Sequence, residues 1–183
     1  MSYKIKLKCG NLLQEQNATF IVNASNTKLI LGSGVSMAFK HTCGYKLQKE
    51  MFTKLEEIGI LYKGDVVVTS SAEATNFIYT LHAIIINYNE GLNSNNKLPT
   101  LQTIIFVLKN IESYIQWYSN KFTDNNIKIV LPLLGCGIGG LDKENVILIY
   151  KNFFKRDVIF NCEVVIYGYS KKDCELLENL DFH

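Results

Sequence analysis

The chain has 183 residues, 48% hydrophobic and 20% charged, with a formal net charge of +2. That profile suits one folded domain and excludes a disordered chain. No run of about 18 apolar residues occurs, which argues against a transmembrane helix. The alternating N-terminus MSYKIKLKCG lacks the apolar core of a secretory signal, so a cytoplasmic protein without a membrane partner is expected. Among its 19 basic residues the sole Arg is Arg156. A dedicated nucleic-acid binder usually carries a larger basic excess and Arg for paired contacts.

Cysteine usage agrees. Cys9, Cys43, Cys136, Cys162 and Cys174 are odd in number and widely spaced, with no CxxC or Cys/His cluster. Free thiols in a reducing compartment are expected, and no metal site. His41, His82 and His183 are too scattered to suggest ligands.

In chain order, residues 3–9 alternate and read as a half-buried strand. Residues 19–23, TFIVN, read as a buried strand, and 24–34 as a polar, glycine-containing loop. Residues 35–58 read as a helix with a break at Cys43-Gly44. Strands follow at 65–70 and 77–86. The Asn-rich segment 87–100 reads as a surface loop. A helix is predicted over 101–119, a strand over 127–134, and a helix over 142–154 with Asp142 as its N-cap. A strand at 162–167 and a helix at 170–178, starting at Ser170, close the chain. No internal repeat occurs, and 1–183 is expected to be a single domain. Apolar runs such as VLPLL and VVIY predict a three-layer α/β/α sandwich on a mixed, mostly parallel sheet.

Two segments share one form, a buried strand followed by a glycine loop and a helix: FIVNASNTKLILGSGVSMAFK and IVLPLLGCGIGGLDKENV. The crevice beyond the strand C-termini is the usual ligand site of such sheets. Glycine loops at helix N-termini offer backbone N–H groups to an anion. Two opposed loops suit a diphosphate. Neither matches the Walker A spacing, nor GxGxxG with an acidic partner. The bland alternative is a pair of ordinary turns.

These residues resemble the macrodomain family. IVNASNTKLILGSGV is similar to its VNAxN strand end with a GxGV loop, and LPLLGCGIGGLD to its second phosphate loop. KCGNLL, KGDVVVTSS, FIYTLHAII and VVIYGYSKKD stand in the matching order, so the resemblance spans residues 5 to 175. It implies ADP-ribose as ligand or product, with no cofactor, and the chain is expected to be a monomer. The partner implied is ADP-ribose or a macromolecule carrying it, nucleic acid entering only as a modified substrate. Carried over, Gly32, Ser33, Gly34 and Val35 would contact a phosphate and the distal ribose. Gly135, Cys136, Gly137, Ile138 and Gly139 would cradle the diphosphate from the other side. Asn23 would hold the loop, and Asn26 would reach the distal ribose. Tyr167 would stack near the adenine, beside Asn11 and Leu12; its alternative is an ordinary strand-end aromatic. Cys136 reads as a small loop residue rather than a catalytic thiol.

Departures matter. Asn11 stands where the family often has an Asp that accepts from adenine, and Ser36 where one hydrolase subclass has an Asp that activates water. GCGIGGLD and Phe39-Lys40 are more similar to the terminal ADP-ribose glycohydrolase and DNA ADP-ribosyl glycohydrolase subclass, in which that Lys is catalytic. Gly139 stands where some of those enzymes carry an Asp that pairs with the Lys. The resemblance therefore implies an ADP-ribosyl hydrolase acting through Lys40, with a non-catalytic ADP-ribose reader as the alternative.

Overall fold

The structure is a computed structural model describing residues 1–32, 34–89, 95–122 and 126–179. Its strands are β1 (Tyr3–Cys9), β2 (Ala18–Asn26), β3 (Val66–Ser70), β4 (Phe77–Ile86), β5 (Ile127–Pro132) and β6 (Cys162–Gly168). The helices are α1 (Val35–Ile58), α2 (Leu101–Lys121), α3 (Lys143–Phe154) and α4 (Lys171–Asn179), with a short 3-10 turn at Leu12–Gln14. The strands form one sheet in the order β1-β6-β5-β2-β4-β3. Every pairing is parallel except β3 with β4.

Strand alternation assigns the two faces of the sheet. On β2, Phe20 and Val22 point into a core shared with Ile104 and Leu108 of α2 and Val146 and Tyr150 of α3. Ile21 points to the opposite core, with Phe39, Leu47 and Met51 of α1. Helices therefore cover both faces, which gives the sandwich read from the sequence. At the predicted break in α1, Gly44 adopts φ 70, and a Cβ there would run into the Glu73 carboxylate.

Most boundaries fall within two residues of expectation. One difference bears on the site: the segment from residue 24 continues β2 to Asn26 rather than opening a loop. Ala24 pairs with Ala83 and Ser25 with Ile84 of β4, so neighbouring backbone satisfies a polar stretch. β5 ends earlier than expected, at Pro132. Of the 87–100 loop, residues 90–94 lie outside the described residues.

The expectation of five free thiols needs correction: Cys9 and Cys174 are paired as a disulfide, while Cys43, Cys136 and Cys162 are free. The partners are 165 residues apart in sequence. β1 pairs with β6, which puts Cys9 beside Gly168, and α4 folds back from that strand end with Cys174. Among the described residues no helix is long and apolar enough to cross a membrane.

Candidate ligand cleft

Both glycine loops emerge at the C-terminal edge of the parallel strands. The first is built from Asn23 and Asn26 at the end of β2. The Asn26 amide donates to Ile30 O at 2.9 Å, while its oxygen accepts from Lys28 N and Ile30 N at 3.1 and 3.3 Å. Gln48 of α1 clamps the same turn, accepting from Leu31 N and donating to Leu29 O, both at 2.7 Å. The chain then reaches Gly34, the N-cap of α1, at φ 60 with no side-chain cap. The first amides of α1 are thus left for water or a ligand.

Asn23 works beneath this loop. Its oxygen lies 3.0 Å from the Ser36 hydroxyl, which donates there and towards Ala24 O at 2.7 Å. Its NH2 donates to His82 Nδ1 at 3.1 Å, and His82 Nε2 sits 2.9 Å from Thr69 Oγ1, which donates to Ser70 O. The network assigns the proton of the neutral ring to Nε2. Burial pushes the His82 pKa down to about 3. This polar seam ties the α1 N-terminus to β2, β4 and β3.

In the second loop the glycines do different work. Gly135 takes φ 78, and a Cβ there would meet Leu141 at 2.7 Å. At Gly139 a Cβ would meet Gly135 O at 2.5 Å and Pro99 at 2.7 Å. Both are small because the loop packs on itself. Gly137 is different: a Cβ there meets nothing within 4 Å, since it faces open space. Asp142 caps α3 by accepting from Asn145 N at 3.0 Å.

Two cavities lie between the loops. One, of about 420 Å³, is floored by Tyr167 and walled by residues that include Asn11, Leu12, Lys143, Ser170 and Asp173. The second, of about 350 Å³, is lined by Asn26, Gly32, Ile86, Tyr88, Ile138 and Gly139, with Gly135 beneath. They share Gly34, Val35, Pro132, Leu133 and Gly137, so the two adjoin along one wall.

The Tyr167 floor is held by charge. Its hydroxyl donates to Glu15 Oε2 at 2.8 Å. The buried Glu15 also accepts from Lys8 at 2.7 Å and Lys128 at 3.1 Å. Burial alone raises the Glu15 pKa, but bonds from Lys8, Tyr167 and Lys128 outweigh it and hold the pKa at about 2. Asn11 turns its side-chain oxygen to Leu13 N at 3.0 Å, capping the 3-10 turn. Burial pushes the Cys136 thiol up to about 12, which favours its protonated form.

The structure brings together twelve of the residues picked from sequence: Asn11, Leu12, Cys136 and Tyr167 in the first cavity, Asn26, Gly32, Gly135, Ile138 and Gly139 in the second, and Gly34, Val35 and Gly137 in both. Asn23 lies beneath the lining rather than in it, and Ser33 lies outside the described residues. Lys40 is exposed on α1 and lines neither cavity. Sequence reasoning missed Lys143, Ser170, Asp173 and Ser25. Ser25 lines the second cavity with a buried hydroxyl that has no partner. Ser170 and Asp173 follow the end of β6, a place the strand-end rule already flags.

The family model for the Macro domain matches residues 22–150, from within β2 through both loops to α3. The chain belongs to the Macro domain family. An uncharacterised protein of Sulfolobus acidocaldarius is 29% identical over 173 residues, 90% of this chain and 84% of its own length. The mouse protein mono-ADP-ribosyltransferase PARP9 is 27% identical over 119 residues, 64% of this chain but 13% of the mouse protein. This macrodomain thus spans a small part of that relative. Among solved structures, the Oceanobacillus iheyensis macrodomain with ADP superposes with a TM-score of 0.71 at 18% identity, covering 96% of this chain and 88% of its own. The Trypanosoma brucei macrodomain in complex with ADP-ribose gives 0.71 at 17% identity, covering 96% and 68%. At that identity the likeness shows the fold.

Proposed function

We propose that this macrodomain binds ADP-ribose, free or attached to a macromolecule. The observation that carries the reading is the shared wall of the two cavities, to which Gly34 and Gly137 each bring uncrowded backbone, a Cβ at either meeting nothing within 4 Å. A diphosphate seated there puts the adenosine against Tyr167, Asn11 and Leu12. The distal ribose then lies by Asn26, Gly32, Ile138 and Gly139. Uncapped α1 amides suit the phosphate oxygens, and the aromatic floor suits the base. The relatives solved with ADP and with ADP-ribose support the choice of ligand.

The non-catalytic reader is the reading the site favours over the Lys40 hydrolase. Hydrolysis at the distal ribose needs a base or nucleophile there. No ionisable side chain is among the described residues lining the second cavity apart from the phenol of Tyr88. Ser36 is buried and donates its hydroxyl to the β2 end. The test of binding is calorimetric titration with ADP-ribose of the wild type beside Gly137→Glu. Saturable heat lost in the variant supports the reading, and no heat from folded wild type contradicts it. Product release from an ADP-ribosylated substrate, lost in Lys40→Ala, would restore the hydrolase.

A further inference from the structure

Of the described side chains lining the two cavities, Lys143 is the only basic one and Asp173 the only Asp or Glu, and they pair with each other in the wall of the Tyr167 cavity. Resting on the ADP-ribose reading, we infer that Lys143 is a ligand-binding residue that leaves Asp173 for the diphosphate when ligand enters.

Three features support the exchange. First, Lys143 is the opening residue of α3, immediately after the second glycine loop. A cation at a helix N-terminus is poorly placed with respect to the dipole, so that position gains from a nearby anion. Asp173 supplies one, and a diphosphate carries more charge. Second, Asp173 does not depend on Lys143. Its Oδ2 accepts from Ser170 N at 3.0 Å while its own N–H donates to Ser170 Oγ at 3.2 Å. This reciprocal pair at the start of α4 keeps the carboxylate hydrogen-bonded and beside a positive helix end after the lysine departs. Third, Lys143 is free to move. Its side chain is 29% exposed against 9% for Asp173, so the ammonium swings on a flexible stem while the carboxylate stays anchored.

The test is calorimetric titration with ADP-ribose of wild type, Lys143→Met, Lys143→Arg and Asp173→Asn, each checked for folding by thermal melt. Asn retains an acceptor for Ser170 N but removes the charge that competes for Lys143. Lys143→Met is expected to weaken binding about tenfold, the low end for a hydrogen bond to a charged group, and to flatten its salt dependence. Lys143→Arg retains binding, and Asp173→Asn holds or strengthens it. The inference is overturned if Asp173→Asn weakens binding as Lys143→Met does, which would make the pair a clamp between α3 and α4. It is also overturned if Lys143→Met binds like wild type. Should Lys143→Met not fold, Asp173→Asn decides alone by the same criterion. A wild type that binds no ADP-ribose is a different failure, that of the ligand reading itself.

Discussion

The two cavities are built by opposite means. The Tyr167 cavity rests on charge: Glu15 with Lys8 and Lys128 under the floor, and Lys143 with Asp173 in the wall. The Asn26 cavity rests on backbone: an asparagine that closes its own turn, a glutamine clamp from α1, and glycines packed against glycines. Among its described lining residues the Asn26 cavity has no ionisable side chain apart from the Tyr88 phenol.

The sharpest way to break this contrast is at the wall the cavities share. Gly137→Glu is expected to lower ADP-ribose affinity by a hundredfold or more, roughly the cost of setting a carboxylate against a diphosphate with some steric exclusion. Its melting temperature should stay near wild type, because a Cβ at Gly137 meets nothing. A variant that binds normally would remove the diphosphate from this wall.

Next in size is the charged floor. Glu15→Gln is expected to cost about 2 kcal/mol in denaturant unfolding. That is less than breaking a fully buried pair, because Lys8 stays 45% exposed and keeps water when its partner goes. An unchanged unfolding midpoint would show that the cluster adds nothing to stability.

Acid should act on the same floor and on the seam under the first loop. In the unfolded chain His82 takes a proton near its ordinary value of 6.5, whereas the buried ring resists until about 3. Unfolding therefore takes up a proton in that window, and stability falls as pH drops through it. The stabilisation from Glu15 is complete above the ordinary 4.5 and is lost as pH falls towards about 2. Thermal melts should be flat near neutrality, decline below about pH 6, and decline less between 6 and 4 in a His82→Asn variant. A wild type with no decline there would contradict the neutral, buried ring. The smallest effect is expected at Lys40. Lys40→Ala should leave ADP-ribose affinity within about twofold, as for an exposed side chain outside the lining. A larger loss in the same titration would bring that lysine to the distal end.

The fold was legible because its signals are local. Apolar runs marked β4 and β5, and Gly44 marked the kink in α1. The backbone part of the cleft was legible for the same reason, since glycine loops after strands declare themselves. What stayed hidden depends on distant segments meeting. Lys143 reads as an ordinary first-turn residue until α4 brings Asp173 beside it. Cys9 and Cys174 read as free thiols until β1 lies against β6. The end of β2 looked like a loop because Ala24 to Asn26 are small or polar, and only pairing with β4 makes them strand. Lys40 shows the reverse case: a residue singled out by its motif, yet exposed on α1 away from both cavities.

The central claim is that one ADP-ribose spans both cavities, and amide-resolved NMR titration tests it most directly. The account predicts that Gly34 and Val35 of the first loop and Gly137 and Ile138 of the second shift together, with a single shared dissociation constant, along with the amides around Tyr167. Shifts confined to one loop, or two loops saturating at different concentrations, would contradict it.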